Sequence, residues 1–339
     1  MIKIKISTAF PGWPLLRQTP HSEGIWGSYQ FFVDQDIEQC DYWVVYGGIL
    51  REESAICSIN KTIFIAGEPP SVKRYDPKFL KQFAFVISCH KDMDHPRVIN
   101  TQIAQPWHVG REQKSHINIS FTKDYDELKY IKVFKKSKVL SVISSDKAFT
   151  EGHQKRVDFV KELSDYFGPR IDVFGRGIRE IGDKWDAIAD YKYHIAIENS
   201  CFPDYWTEKL ADAYLGGSFP IYYGCPNLEK YYTEGSFVRI DIDNVPEAIK
   251  MIEKCIESRQ YERSIQRIAK AKDLVLDKYN LFPMAIDFIE KHCRGSHQKK
   301  QKLSLMPENR FIGLAGHFKK IARSLQERMT GARYYAGTR

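Results

Sequence analysis

The chain has 339 residues, 43% of them hydrophobic, which is long enough for two ordinary domains and too apolar for extended disorder. A formal net charge of +8 implies an anionic partner, whether nucleotide phosphate, membrane surface or nucleic acid. The seven cysteines are scattered with no C-x-x-C pair, which excludes a zinc-finger spacing and fits reduced, mostly buried thiols.

The amino-terminal MIKIKIS alternates with period two and reads as a strand rather than a signal peptide. No window of about 18 apolar residues exists, so no membrane-spanning helix is expected. Residues 10–14 form a Pro- and Gly-rich first loop; Trp13 there, and Trp26 further on, suit packing better than sugar stacking. DYWVVY (41–46) and KTIFIA (61–66) are the next strands, the second the clearest of the first half. It opens into Gly67-Glu68-Pro69-Pro70, which points a carboxylate out of a strand end, although a lone loop glutamate is ordinarily just solvated. FAFVISC (83–89) follows, then His90 and His95 with two aspartates between them, whose spacing matches no standard metal site and suits an acceptor-facing loop. Residues 121–136 read as a linker or crossover, with 125–134 helical in part.

KVLSVIS (138–144) restarts the strand pattern. Helical spacing covers 151–167 with Arg156 early in it, then come a strand and glycine turn (IDVFGRG) and a short helix near 185–191. The stretch 191–226, YKYHIAIENSCFPDYWTEKLADAYLGGSFPIYYGCP, reads as strand, loop, helix, strand and turn. Glu198 and Asn199 fall at the carboxyl end of the strand, where open α/β sheets bind ligands. Asp204 reads as the N-cap of a helix running to Leu215, so Tyr205 and Lys209 share a face with Glu208 beside it. At a helix N-terminus these three suit a nucleotide diphosphate: Lys209 neutralising charge, Tyr205 donating to a phosphate oxygen, Glu208 accepting from ribose hydroxyls. The plainer reading makes Glu208 and Lys209 solvated helix charges and Tyr205 a packing residue. Residues 236–242 form another strand, ending in an Asp241-x-Asp243 that resembles a metal-binding DxD but suits helix capping by Asp243, and 245–256 and 261–279 are helical. From residue 294 the chain turns basic, and Phe311, Leu314, Phe318, Ile321, Ala322 and Leu325 are spaced like one helix face. Such a tail suits an anionic membrane through 299–328; packing back on the body or an oligomer contact is the other option.

The stretch 191–226 resembles the signature of the α-1,3/4-fucosyltransferases of glycosyltransferase family 10, roughly YKF-x-L-x-FEN, then DY-[VI]-TEK, then A-x-P-[IV]-x-x-G. The likeness is strong over 138–290, weaker but ordered over 60–95, and absent in the tail. It implies the GT-B plan, two Rossmann-like α/β domains facing across a cleft: 1–120 for the acceptor, 121–136 a linker, 137–293 for the nucleotide sugar, and 294–339 a basic amphipathic tail. It also implies transfer of L-fucose from GDP-fucose, with inversion, to a hydroxyl of a surface glycan such as lipopolysaccharide or capsule oligosaccharide, at O3 of N-acetylglucosamine or glucose. By the same resemblance Glu68 is the general base, although the family's Gly-Glu-Asn is here Gly-Glu-Pro, and Arg156 holds the diphosphate with Tyr205, Glu208, Lys209, Asn199 and Glu198 around the donor. No metal and no cofactor is required on this reading, a divalent cation being at most stimulatory. Animal members carry a Golgi membrane anchor, which is not seen here, so a bacterial-type enzyme is expected in the cytoplasm, peripheral on the inner membrane face.

Two alternatives stay open: the same fold with another nucleotide sugar, and a non-enzymatic glycan- or anion-binding protein. Nucleic acid is disfavoured because the basic excess lies in the tail and no recognition motif appears.

Overall fold

The computed structural model describes residues 1–113, 119–132, 134–144, 151–293 and 299–311. In the first half, strands β1 (Ile2–Thr8), β2 (Ile25–Trp26), β3 (Tyr29–Val33), β4 (Tyr42–Tyr46), β5 (Glu53–Cys57), β6 (Thr62–Ile65), β7 (Phe85–Ser88) and β8 (Val98–Asn100) appear with one short helix, α1 (Pro77–Leu80). Seven of these strands make one sheet in the order β2-β3-β1-β4-β6-β7-β8. All its neighbours run parallel except the β2–β3 pair. The central strands are apolar on both faces because both are covered, which is why YWVVY and TIFI read as continuous hydrophobic runs. A small hairpin, β9 (Arg111–Gln113) and β10 (Ile119–Phe121), and helix α2 (Tyr125–Tyr130) lead out of this half. Asp124 and Glu127 close a capping box on α2.

The second half holds β11 (Lys138–Ile143), α3 (Glu151–Phe167), β12 (Asp172–Phe174), β13 (Tyr191–Ile197), α4 (Glu208–Leu215), β14 (Phe219–Tyr223), β15 (Val238–Arg239), α5 (Val245–Glu257) and α6 (Gln260–Asp277). Its sheet has the order β12-β11-β13-β14-β15, parallel throughout. The step from β11 out to β12 and back across to β13 reverses the winding, so the loops after β11 and β13 meet at a switch point. Strand β13 begins at Tyr191, and Tyr191 and Tyr193 bury their rings and bond their hydroxyls to Asp172 and the Cys255 carbonyl. Asp243 does not cap α5; Asn244 does, and Asp243 pairs with Lys155 at 3.0 Å.

The chain then crosses back. The bound 137–293 assigns helix α7 (Leu281–His292) to the second domain, but Leu281, Phe282, Ala285, Phe288 and Ile289 are buried in the core of the first sheet with Ile4, Phe31 and Val44. Asn280 caps α7 and its amide donates to the Gln18 carbonyl at 2.6 Å. Strand β16 (Gln301–Leu305) then pairs antiparallel with β5, burying Leu303 and Leu305 in the first domain. The basic tail placed at 294–339 therefore begins with a strand of the first domain; Phe311 packs against the same core, and the rest of the proposed helix face and most of the membrane surface at 299–328 lie outside the described residues. Among the described residues no helix is long and apolar enough to cross a membrane.

Candidate active site

Glu68 follows β6 at the carboxyl edge of the first sheet. Its carboxylate accepts no hydrogen bond from the described residues, while its backbone is held tightly: the His90 ring donates Nε2–H to the Glu68 carbonyl at 2.7 Å. Burial pushes the Glu68 carboxyl above the usual carboxylate range and the charge of Glu208 adds to this, against the pull of Lys209 and Lys73. Glu208 and Lys209 belong to the other domain, so the loop after β6 and the start of α4 face one electrostatic space. A hydrogen bond of 2.7 Å between the hydroxyls of Ser71 and Ser200 ties the two loops beside it. His90 and His95, considered as metal ligands, are engaged otherwise: His95 donates to the Phe83 carbonyl at 3.0 Å.

On the second side Arg156, Asn199, Glu208 and Lys209 line a cleft of about 390 Å³ together with His108, His153, Lys184, His194 and Asp212. Arg156 projects from the second turn of α3, its guanidinium donating to the Asn199 side-chain oxygen at 2.7 Å. Helix α4 starts later than the sequence suggested. Thr207 is its N-cap, its hydroxyl accepting from the Lys209 N–H. Asp204 takes a left-handed φ of +63° instead of capping, with its carboxylate accepting from the Tyr231 hydroxyl at 2.5 Å, Lys230 at 2.9 Å and the Asn227 amide at 3.0 Å. Despite burial, these donors hold the Asp204 carboxyl below its usual range. The turn takes Tyr205 off the helix: it does not share a face with Lys209, and its ring is buried in the first domain's core. The Tyr205 hydroxyl still lies near charge, since Glu198, Glu208 and Glu68 all push it up on top of burial.

Glu198 is fully buried and engaged with α4 rather than open to the cleft: its two oxygens accept the Thr207 N–H and hydroxyl, both at 2.7 Å. It thus fixes the cap that starts the helix. Gly224, at φ +150°, lies against it; a Cβ there would come within 2.5 Å of the Glu198 side chain, so only glycine fits. Lys209 stands between two carboxylates, 3.4 Å from Glu198 and 3.2 Å from Glu208. Burial pushes the Lys209 ammonium down, but these carboxylates outweigh it and it is held above its usual range. Glu208 is held well below its own range despite burial, by Lys209, Lys184 and His108.

Residue types alone did not single out Lys184, Asp212 or His108. Lys184 bridges Glu208 at 3.3 Å and the buried Asp212 at 3.1 Å. The other Asp212 oxygen accepts the N–H groups of His108 and Val109 at 2.8 and 2.9 Å, fastening α4 to the segment that leaves the first sheet. A carboxylate in the middle of a short helix, three residues beyond TEK, is the one signal that was there to find. Trp13 packs, as expected, with its ring 5.1 Å from His108 and the Arg111 guanidinium 4.3 Å from its centroid; Trp26 packs on Tyr125 at 5.2 Å. The arrangement offers an array of cations, Arg156, Lys184 and Lys209, opposite a carboxylate whose affinity for protons is raised.

Residues 133–265 match the family model "Glycosyltransferase family 10 (fucosyltransferase) C-term". Human alpha-(1,3)-fucosyltransferase 4 is 38% identical over 96 residues, covering 26% of this chain and 18% of that protein. The alpha-(1,3)-fucosyltransferase FucT of Helicobacter pylori is 37% identical over 73 residues, covering 21% of this chain and 15% of that one. The match thus spans under a fifth of the length of these relatives. Among solved structures, an alpha-glucosyltransferase in complex with UDP superposes with a TM-score of 0.50 at 8% identity over 86% of this chain and 100% of the other, a likeness of fold alone. An alpha1,3-fucosyltransferase with GDP-fucose has a TM-score of 0.49 at 16% identity over 88% and 92% of the two chains. With two parallel sheets meeting at their carboxyl edges, the fold is GT-B, and over 133–265 the second domain is similar to the C-terminal domain of the glycosyltransferase family 10 fucosyltransferases.

Proposed function

We propose that the chain is an inverting α-1,3-fucosyltransferase that moves L-fucose from GDP-fucose to O3 of an N-acetylglucosamine or glucose unit in a surface glycan such as lipopolysaccharide or capsule oligosaccharide. The observation that carries the reading is the pairing of Glu68, whose carboxylate is unbonded among the described residues and raised in proton affinity, with the cation-lined cleft around Lys209 in the other domain. The family match over 133–265 supports a fucosyl nucleotide as the donor, and the named relatives are α-1,3 enzymes.

In this reaction the acceptor hydroxyl oxygen attacks the anomeric carbon while the bond from that carbon to the phosphate oxygen breaks. The hydroxyl proton goes to the Glu68 carboxylate, and the electron pair of the broken bond leaves with GDP. Arg156, with its fork geometry, and Lys209 meet the charge that grows on the diphosphate, and Glu208 takes the ribose hydroxyls. These cations do the work of charge neutralisation, so a divalent cation is at most stimulatory. Tyr205 and Glu198 act from behind, through packing and through the α4 cap, and Asn199 orients Arg156. The proposed site of action is the cytoplasm, peripheral on the inner membrane face through the basic residues of 299–328.

A thermal-shift panel of GDP, GDP-fucose, GDP-mannose, UDP, UDP-N-acetylglucosamine and CMP tests the donor. A ligand at a hundred times its Kd stabilises by roughly 2.7 kcal/mol, a readily seen shift. Stabilisation by GDP and GDP-fucose, with fucose appearing on an N-acetyllactosamine acceptor, is expected. Selective stabilisation by UDP-sugars would overturn the donor.

A further inference from the structure

The loop that carries Glu68 is held by side chains from three separate parts of the first domain. The Gly67 N–H donates to the Tyr75 hydroxyl at 3.1 Å. The Gly67 carbonyl accepts from the Gln105 amide at 2.5 Å, and the Gln105 oxygen in turn accepts the Tyr46 hydroxyl at 2.9 Å. The Glu68 carbonyl accepts the His90 ring N–H at 2.7 Å. His90 is itself locked: its N–H donates to the Ser88 hydroxyl at 3.0 Å and its carbonyl accepts the Asn100 amide at 2.6 Å. His90, Tyr75 and Tyr46 are all buried. A carbonyl oxygen can only accept, so the imidazole must keep its proton on Nε2 to make this contact.

We propose that His90 and Gln105 are positioning residues for the reaction, aiming the Glu68 carboxylate at the acceptor hydroxyl by clamping the peptide groups on either side of its Cα. The clamp uses only backbone atoms of the loop and leaves the carboxylate free for the transferred proton. The inference rests on the proposed role of Glu68. A neutral His90 is consistent with it, since burial pushes that imidazole down from its ordinary value.

The test compares His90→Phe, which keeps the ring shape and removes the donor, with His90→Gln, which places an amide N–H near the former Nε2. Gln105→Met and Glu68→Gln are measured alongside. A misplaced base of the order of 1 Å costs up to about a hundredfold in rate. His90→Phe is expected to lower kcat by about ten- to a hundredfold, with GDP-fucose Kd and apo Tm near wild type, and His90→Gln to recover most of it. Hydrogen–deuterium exchange over residues 66–72 is expected to rise in His90→Phe and Gln105→Met and to stay near wild type in His90→Gln. Unchanged kcat in His90→Phe, or equal loss in both His90 variants, would overturn the inference while leaving Glu68 as base if Glu68→Gln is inactive. If wild type transfers no fucose, or Glu68→Gln is as active as wild type, the functional reading fails instead, and the exchange data alone decide whether His90 holds the loop.

Discussion

The two walls of the cleft solve different problems with different chemistry. On the first-domain wall a single carboxylate sits on a loop held by neutral groups: the His90 ring and the Gln105 amide donate to its carbonyls, the Tyr75 hydroxyl accepts the Gly67 N–H, and among the described residues no cation is hydrogen-bonded to the Glu68 carboxylate. On the second-domain wall the side chains are charged and mutually paired: Lys209 with Glu198 and Glu208, Lys184 with Glu208 and Asp212. A general base has to keep a raised affinity for protons, and at Glu68 burial and the charge of Glu208 outweigh the pull of Lys209 and Lys73. The proposed phosphate site has to keep its ammonium groups charged although buried, and the carboxylates beside them do this.

Substitutions can break each wall separately. The largest effect is expected from Glu68→Gln, a fall in kcat of about 10²–10⁴-fold with GDP-fucose Kd unchanged in titration calorimetry. A loss of donor binding instead would mean the two walls are not separable. Next comes Lys209→Ala, expected to weaken GDP by at least about tenfold, since truncating one member of a desolvated charge group costs about 2–5 kcal/mol or more. A Kd within threefold of wild type would remove Lys209 from the donor site.

The pH profile sharpens the contrast further. Because the Glu68 carboxyl is raised from its ordinary value, kcat/KM for the acceptor should lose its base as pH falls through that raised value, so the acidic limb lies above pH 4.5. An acidic limb at or below the ordinary carboxylate range would argue that Glu68 is bonded to a cation in the complex. A smaller effect, on stability, is expected at Asp204. Its carboxyl is lowered on folding, so it stabilises fully above its unfolded pKa, and that contribution is lost as pH falls through the folded value. Tyr231→Phe should cost about 1–2 kcal/mol in urea unfolding at neutral pH, by removing one donor from a buried carboxylate. The smallest is at the exposed pair Lys291–Asp287, where Lys291→Ala should change stability by no more than about 0.5 kcal/mol.

Much of this layout was legible in the sequence because parallel strands covered on both faces leave unbroken apolar runs, as in DYWVVY, KTIFIA and KVLSVIS. The resemblance singled out Arg156, Glu198, Asn199, Tyr205, Glu208 and Lys209, and the structure brings Arg156, Asn199, Glu208 and Lys209 to one cleft while Tyr205 and Glu198 are buried behind it. What the sequence hid is tertiary. The start of α4 was misread because Asp204, a good capping residue by type, is claimed by Tyr231, Lys230 and Asn227, residues more than twenty positions away. Thr207 caps instead because Glu198 waits below it. Lys184 and Asp212 look like surface charges until the fold places them against each other. The apolar residues of 281–292 do not tell which domain buries them, and the structure places them on the first sheet.

The return of the chain through α7 and β16 makes the first domain discontinuous, with its last pieces encoded after the second. The second domain runs past the family segment 133–265 to the end of α6, and residues 1–280 alone would leave the sheet face around Ile4, Phe31 and Val44 bare and the edge of β5 unpaired. An N-terminal fragment ending before α7 therefore has an unfinished apolar surface, and the first domain is complete only once the chain has been made through residue 305. A separately expressed 281–311 peptide, added to such a fragment, is the natural candidate to complete it in trans.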